Sequence, residues 1–309
     1  MLRARLIVNP QATSTSVRTR DVLINALSSE LVIDVAETKA RGHAAELAYD
    51  ARLTEYDLVI ALGGDGTVGE IVNGLLADGI ATDVPDLAVV PGGSTNVFAR
   101  ALGLPEDRVE ATGHLLEAVR AGRRRKIGLG RADGRWFTFT AGLGLDAEVV
   151  ERVERRREQG KRSTHSLYVR SAMGQYLRRT DRRHLPLTLI CPGLPIEEAL
   201  ALVLVGNTSP WTFLGRLRLD PFPGADFDLG LDVLALHRLR LTSTLSTVTQ
   251  LLTPNGRPPW GGDVIHRHDL ETFTVTAAEP VAFQVDGDYL GTRTAVVFES
   301  VPQALQVVM

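Results

Sequence analysis

The chain has 309 residues, of which 44% are hydrophobic and 23% are charged, and its formal net charge is −3. This length predicts two domains, and this composition is typical of a folded soluble protein rather than a disordered or fibrous one. The single cysteine excludes an intramolecular disulfide and favours a reducing cytosol, and no segment approaches the about 20 apolar residues of a membrane-spanning helix.

The first 130 residues predict alternating strands and helices. Four short apolar runs predict strands at 6–8, 31–35, 58–62 and 87–90, and a segment with helical apolar spacing follows each of them. Such alternation with short connections predicts a parallel sheet covered by helices on both sides, a three-layer α/β domain over residues 1–130.

The most informative segment is the glycine turn Gly63-Gly64-Asp65-Gly66-Thr67, which joins a predicted strand directly to a predicted helix. Glycines let the backbone approach a ligand closely, and the amides and dipole of a helix N-terminus attract phosphate. Asp65 adds a carboxylate, which indicates a metal ion or a reacting hydroxyl nearby. The alternative is a tight turn in which Asp65 or Thr67 caps the helix.

Other polar residues follow predicted strands of the same sheet. Asn9, Thr38 and Ser94 each come after one of these strands, as the glycine turn does. In a parallel sheet the carboxyl ends of the strands share one edge, where ligands bind. The sequence therefore predicts a phosphate-binding edge built from four loops.

After residue 130 the pattern changes to strands with few helices between them. We predict strands at 136–140, 187–190, 199–206, 231–236, 273–276 and 281–285, and helices in 152–183 and 243–252. This pattern favours a mainly antiparallel β domain over residues 131–294. Two late strands, 295–298 and 305–308, could return residues 295–309 to the first domain.

Positive charge is concentrated between Arg152 and Arg183, where eleven basic and three acidic residues give a net charge of +8 on an otherwise acidic chain. This segment favours an anionic partner surface, and the alternative is a solvated helical face with ion pairs. Nucleic acid is disfavoured because few aromatic residues are interleaved with the basic ones.

Two further motifs stand in the second half of the chain. Gly142-Leu-Gly144-Leu-Asp146-Ala147 matches a dinucleotide fingerprint, but it lies where the α/β alternation has ended and no second βαβ unit follows, so we expect no dinucleotide there. Asp286-Gly287-Asp288 follows a predicted strand. Asp-Gly is a standard hairpin signal, and the alternative is a general base for a hydroxyl.

These motifs in this order resemble a known family. The segments are 63–67 with Glu70, 91–96 with Phe98-Ala99-Arg100, 142–147, and 286–288. They are similar to the bacterial diacylglycerol kinase-like lipid kinases, which share the diacylglycerol kinase catalytic domain with sphingosine kinases. The resemblance runs over essentially the whole chain.

The resemblance implies an ATP-dependent and Mg²⁺-dependent phosphotransferase that acts on a lipid hydroxyl, converting diacylglycerol to phosphatidic acid in phospholipid metabolism. Asp65 would position Mg²⁺–ATP, and Asp288 would be the catalytic base in place of the family's usual glutamate. By the same resemblance the nucleotide-binding residues are Asn9, Thr38, Gly63, Gly64, Asp65, Gly66, Thr67, Glu70 and Ser94.

The resemblance also implies a structural Mg²⁺ bound by the Asp228 side chain and the carbonyls of Ala225 and Gly230. The chain departs from the family at Val97 and Gly128, where many relatives have aspartates that support the metal. These departures keep open a catalytically silent lipid-binding or nucleotide-binding protein, and an NAD kinase-like enzyme is the other alternative. As partners we expect a lipid substrate and the anionic inner membrane face, which the chain would reach from the cytoplasm, without nucleic acid. A homodimer is left open.

Overall fold

A computed structural model describes residues 1–10, 17–158, 185–215, 217–237, 241–253 and 256–309. The chain divides into two compact units, one of residues 1–129 and 302–309, and the other of residues 130–301. In the described ranges, no helix is long and apolar enough to cross a bilayer. Most of the basic segment, from residue 159 onward, lies outside these ranges.

The first unit alternates strands and helices in the predicted order. Its strands are β1 (Leu2–Val8), β2 (Leu31–Glu37), β3 (Leu58–Gly63) and β4 (Asp86–Pro91). Its helices are α1 (Val17–Leu27), α2 (His43–Leu53), α3 (Asp65–Leu75), α4 (Val97–Ala101) and α5 (Arg108–Ala121).

The strands of this unit form a parallel sheet in the order β2-β1-β3-β4. The end of β16 (Asp288–Val308) adds a further parallel strand, with Val307 opposite Leu87 of β4. One sheet face packs its alternate residues against buried leucines of α1 and α5. On the other face Arg5 of β1 donates to the Leu47 carbonyl of α2. The sheet therefore lies between two helical layers, as predicted.

The second unit is mainly antiparallel. Its first strands are β5 (Arg124–Ala132), which begins in the first unit, β6 (Arg135–Phe137), β7 (Thr140–Gly144), β8 (Leu187–Ile190), β9 (Glu197–Leu200) and β10 (Leu202–Gly206). The later strands are β11 (Thr212–Leu214), β12 (Leu217–Leu219), β13 (Leu231–Leu236), β14 (Val264–Leu270) and β15 (Thr272–Val285), followed by β16. Two helices accompany them, α6 (Leu145–Glu158) and α7 (Leu241–Leu252).

The central strands of this unit pair in the order β14-β13-β10-β7-β15-β16, each antiparallel to its neighbour. Their inward residues form an apolar core that includes Phe137, Phe283 and Phe298. Phe298 stacks on Phe273 at 5.0 Å between ring centroids. The predicted fold class, a parallel α/β unit followed by antiparallel strands, is confirmed.

Individual strand boundaries differ from the prediction in both directions. The predicted strand 136–140 is divided between β6 and β7, and the predicted strand 199–206 is interrupted at Ala201 between β9 and β10. Conversely, 273–276 and 281–285 belong to one strand, β15, which carries a register shift between Thr276 and Val281. The intervening residues include Pro280, which cannot donate to a ladder, so the strand continues through an irregularity instead of ending.

Candidate functional site

The glycine turn joins β3 to α3 without any side-chain cap. Gly64 is the N-cap residue of α3, and this residue makes no side-chain cap hydrogen bond. The Thr67 hydroxyl instead accepts a hydrogen bond from the Asn9 side-chain amide at 3.2 Å. The N-cap position is thus held by Gly64 and not by Asp65 or Thr67, as in the alternative interpretation of the turn, and two predicted nucleotide-binding residues, Asn9 and Thr67, lie in direct contact.

The glycine turn packs backbone to backbone against the second motif, Gly92-Gly93. The Gly92 amide donates to the Gly63 carbonyl at 2.8 Å. A Cβ atom built on Gly93 would lie 2.7 Å from Gly64 Cα, and one on Gly92 would lie 3.1 Å from Gly63 Cα. We call these four residues the glycine interlock. The lack of side chains on Gly64, Gly92 and Gly93 is needed for contact between the two loops, whereas a Cβ on Gly63 would meet Thr67 and one on Gly66 would meet nothing within 4 Å.

Asp65 connects the glycine turn to α4. Its Oδ1 accepts a hydrogen bond from the Phe98 amide at 3.1 Å, close to the first residue of that helix. Burial raises the pKa of Asp65, and the amides of Val97, Phe98 and Asn96 oppose that rise. The structure therefore gives Asp65 a positioning contact, holding the second motif against the first.

The remaining predicted nucleotide-binding residues have different environments. Glu70 accepts hydrogen bonds from the amides of Gly42 and Ala44, at 2.8 and 3.1 Å, and so stabilises the start of α2. Thr38 donates its backbone amide to the Val8 carbonyl at 2.9 Å. Ser94 is exposed in the loop that follows β4. Asn9, Thr38, Ser94 and the glycine turn all follow strand ends of the same sheet, as predicted.

In the second unit Asp286 is almost fully buried and accepts four hydrogen bonds. Its Oδ2 accepts from the amide and hydroxyl of Thr138, at 2.7 and 2.9 Å, and its Oδ1 accepts from the amides of Phe139 and Thr140 at 3.0 Å. Burial raises the pKa of Asp286 to about 6 although these donors lower it. Asp286 therefore fixes the hairpin turn to the segment between β6 and β7.

Asp288 lies at the exit of that turn. Asp286 and Gly287 have φ values of 48° and 81°, and Val285 pairs with Asp288 across the turn, which is the geometry of a type I′ hairpin. The hairpin interpretation of Asp-Gly is thus confirmed. It does not exclude a catalytic Asp288, whose half-buried side chain begins β16 beside the turn.

A buried amide supports the turn from a second direction. Gln284 is 1% exposed, and its Nε2 donates to Asp146 Oδ2 at 2.7 Å while its Oε1 accepts from the Gly287 amide at 3.0 Å. Burial raises the pKa of Asp146 to about 6, although the Gln284 hydrogen bond lowers it. A Cβ on Gly142 would lie 2.6 Å from Asp146 Oδ2. This glycine therefore leaves room for the Asp146 carboxylate.

Sequence reasoning missed Gln284 and the role of Asp146. Gln284 is a polar residue inside the apolar run Val281-Ala-Phe-Gln-Val285, immediately before the Asp-Gly turn. A polar residue in a buried strand requires a hydrogen-bond partner, and this was the available signal.

The predicted structural metal turn follows Phe222. Asp228 is exposed and its amide donates to Asp226 Oδ1 at 3.0 Å, while the Gly230 amide donates to Asp269 Oδ1 at 2.6 Å. Ala225 and Gly230 are buried. In the part of the chain that is described, no group of three or more histidine, cysteine, aspartate or glutamate side chains is arranged to hold a metal ion. One carboxylate with backbone carbonyls is still the type of oxygen donor set that Mg²⁺ prefers.

Residues 3–132 match the family described as the diacylglycerol kinase catalytic domain. The resemblance that the motifs predict is confirmed. Diacylglycerol kinase of Bacillus subtilis (strain 168) is 38% identical over 153 residues, which cover 48% of this chain and 48% of that protein. Diacylglycerol kinase of Staphylococcus epidermidis is 36% identical over 154 residues, covering 48% and 45%. The chain thus spans about half the length of the curated relatives it matches.

Solved structures extend the similarity of fold to the whole chain. A putative diacylglycerol kinase from Bacillus anthracis str. Sterne superposes with a TM-score of 0.78 at 21% identity, covering 99% of this chain and 96% of that one. An NAD kinase from Archaeoglobus fulgidus, solved in complex with ATP, superposes with a TM-score of 0.52 at 11% identity, covering 100% and 94%. At these identities the likeness concerns the fold alone.

Proposed function

We propose that this protein is an ATP-dependent lipid kinase that transfers the γ-phosphoryl group to the hydroxyl of diacylglycerol. The observation that carries the proposal is the match of residues 3–132 to the diacylglycerol kinase catalytic domain. The glycine interlock and the Asp65 contact to α4 support it, because they bring two motifs of that domain into one site.

The uncapped start of α3 would bind the ATP phosphates. The first amides of a helix have no intrahelical partner, and the helix dipole favours negative charge at that end. Gly64 provides no side-chain cap there, and Gly66 leaves open space above the backbone. In this proposal Asn9, Thr38, Thr67 and Ser94 line the same edge, while Glu70 acts indirectly by holding the start of α2.

Asp288 would serve as the general base. The oxygen of the lipid hydroxyl attacks the γ-phosphorus, the bond from that phosphorus to the β–γ bridging oxygen breaks, and ADP leaves. The proton of the hydroxyl passes to the Asp288 carboxylate. Asp286 and Gln284 support this role by fixing the turn that precedes Asp288.

Mg²⁺ bound to ATP would supply neutralisation of the phosphate charge. Asp65 would help to orient this ion–nucleotide pair from its place on the glycine turn. A second, structural Mg²⁺ would use the exposed Asp228 carboxylate and the carbonyls of Ala225 and Gly230, whose oxygen chemistry suits it.

Diacylglycerol is a membrane lipid, so we further propose that the protein works from the cytoplasm at the anionic inner membrane face. Support comes from the basic segment that begins at Arg152. Within its described part, Arg155 is exposed and pairs with Glu151 on α6. Each basic residue near an anionic surface contributes about 1 kcal/mol of binding at low salt.

The test is transfer of radiolabelled phosphate from ATP to a panel of diacylglycerol, sphingosine and NAD, with the lipids in detergent micelles. We expect label in phosphatidic acid and a loss of roughly 10²–10⁴-fold in kcat for Asp288→Asn, the range that general-base catalysis supplies. Asp288→Glu is expected to retain activity, and Asp21→Asn, an exposed aspartate on α1, is the matched control.

Each remaining outcome contradicts part of the proposal. ATP binding without transfer to any lipid would identify a silent binding protein, and label only in NAD would identify an NAD kinase-like enzyme. Full activity in Asp288→Asn would remove the base assignment while leaving the lipid kinase itself standing.

A further inference from the structure

The antiparallel sheet of the second unit has an outer face that carries exposed aliphatic side chains. Along β15 the side chains alternate, because Phe273 and Val275 belong to the buried core whereas Thr274 between them is partly exposed. The strand register places Ile190 of β8 opposite Thr274 on one side and Val297 of β16 opposite it on the other. Residues directly opposite each other share a face, so these three side chains lie side by side on the outside of the sheet.

Strand β9 extends this row by one residue. Leu189 of β8 pairs with Glu197 of β9, so the next pair towards the hairpin loop joins Ile190 to Ile196. The exposed fractions of Ile196, Ile190 and Val297 are 58%, 37% and 45%. We call the four neighbouring residues across these strands the aliphatic row: Ile196, Ile190, Thr274 and Val297.

The aliphatic row has uncharged neighbours on the same face. The next outward row across β8, β15 and β16 consists of Thr188, Thr276 and Ala295. Charged residues stand further out, where Glu198 is exposed on β9 and Glu299 of β16 pairs with Arg131 at 2.8 Å. The outward positions of an antiparallel sheet are normally polar when that face is solvated. Three β-branched aliphatic residues in one exposed row therefore indicate a contact surface.

The uncharged centre of this face favours a second copy of the chain as its partner. A two-fold interface brings the same patch of both copies together, so a charged patch would meet its own charge, whereas the aliphatic row meets no such repulsion. A bilayer suits the face less well. The outward hydroxyls of Thr188, Thr274 and Thr276 would lose their contact with water in hydrocarbon, and anionic lipid would repel the exposed Glu198.

The extent of the face agrees with a dimer of moderate affinity. Four strands spaced about 4.8 Å apart and running for about 20 Å cover a footprint on the order of 400 Å². Side chains that stand above the sheet raise the accessible area to about 600 Å², which is the share of each partner in the smaller specific interfaces. Two sheets can pack face to face with their side chains interdigitated. We therefore expect a dissociation constant on the order of micromolar.

We propose that the aliphatic row is the centre of a two-fold interface between two copies of this chain, formed by the outer faces of β9, β8, β15 and β16. All four residues of the row belong to the second unit. The inference does not rest on phosphotransfer, since none of these residues is among those assigned to the nucleotide, the metal or the base.

The experiment is sedimentation equilibrium of the full chain at concentrations from about 1 to about 100 µM, the range in which such an interface forms. The parent should form a dimer, and the double variant Ile190→Thr/Val297→Thr should bind its copy roughly 100-fold more weakly or worse, because each substitution acts twice in a symmetric interface. Threonine suits strands, so the fold should be retained, which urea unfolding checks. Val35→Thr, which changes a valine of 44% exposure on β2, is the matched control and should dimerise as the parent does.

A charge exchange tests whether the face meets its own copy. Thr274→Lys and Thr274→Glu each place like charges in the middle of the interface, so each variant alone should be monomeric. An equal mixture of the two should recover a dimer that contains one copy of each variant. Failure of the mixture to recover the dimer, with both variants folded, would contradict two-fold packing through Thr274.

Two results in the sedimentation experiment would overturn the proposal. One is a parent that stays monomeric at about 100 µM, and the other is a double variant that dimerises as tightly as the parent. A monomeric parent that binds phosphatidylcholine vesicles, with that binding lost in the double variant, would assign the face to a bilayer instead. Phosphorylation of diacylglycerol in micelles is measured separately, because its absence in the parent would contradict the kinase proposal and leave the dimer interface standing.

Discussion

The substitution Gln284→Glu exchanges only the side-chain nitrogen for an oxygen, and it tests whether Gln284 stabilises the hairpin turn. The substitution replaces the Nε2 donor, which lies 2.7 Å from Asp146 Oδ2, by an acceptor oxygen. The other oxygen can still accept the Gly287 amide. Shape and volume are almost unchanged, so any effect comes from two carboxyl groups meeting in a buried position.

The expected cost follows from that distance. Two full charges 2.7 Å apart repel by about 6 kcal/mol at an effective dielectric constant of about 20. The folded state can avoid this repulsion if the two carboxyl groups share one proton. For a glutamate with an ordinary pKa of about 4.3, taking up that proton costs about 5 kcal/mol at pH 8 and about 1 kcal/mol at pH 5. The protein adopts the less costly of these two states. We therefore expect Gln284→Glu to lower the free energy of unfolding by about 5 kcal/mol at pH 8 and by about 1 kcal/mol at pH 5.

Urea unfolding of the parent and the variant at both pH values measures this difference. Gln306→Glu is the matched control, because Gln306 Nε2 also donates to a carboxylate, Asp86 Oδ1 at 2.9 Å. Arg124 pairs with Asp86 at that position and offsets the added negative charge. We therefore expect Gln306→Glu to lower the free energy of unfolding by a smaller amount that depends only weakly on pH. If Gln284→Glu unfolds at the same urea concentration as the parent at pH 8, the amide does not face Asp146 and the reasoning is refuted.

Two more predictions concern stability. The pKa of Asp146 is raised from 3.8 to about 6, so the folded state binds the Asp146 proton more tightly than the unfolded state does. This proton stabilises the fold by up to about 3 kcal/mol below pH 4, and the stabilisation is lost as the pH rises through 6. Asp146→Asn should therefore flatten the pH profile of urea unfolding and be more stable than the parent at pH 7; an unchanged slope between pH 4 and 6 would contradict this. Gly93→Ala should lower the unfolding free energy by about 1–3 kcal/mol because its Cβ meets Gly64, while Gly66→Ala should not; equal melting temperatures would argue against the interlock.

The order of elements in the first unit could be predicted because it depends on local patterns. Apolar runs such as 58–62 and the helical spacing that follows the glycine turn specify each element without reference to distant residues. Parallel topology then brings the strand ends to one edge. The position of Asn9 beside Thr67 follows from that rule.

The direction of individual side chains could not be predicted in the same way. Asp65 turns to the amide of Phe98, and Glu70 to the amide of Gly42, contacts that join residues 33 and 28 positions apart. The local sequence of a glycine turn contains no information about such partners. The continuity of β15 could not be predicted either. The strand continues past its register shift because β16 pairs with it on both sides of the shift, and this pairing exists only in the assembled sheet.

The glycine interlock has a consequence for how this site can change over generations. Gly63 and Gly64 occupy the space that side chains on Gly92 and Gly93 would need, and a side chain on Gly64 would in turn meet Gly93. A methyl group added to Gly64, Gly92 or Gly93 requires the two loops to move apart, and with them the helix that begins at Val97. The two motifs should therefore change together, because a chimera taking residues 58–75 from one relative and 86–101 from another keeps this contact only where both supply glycine at its positions.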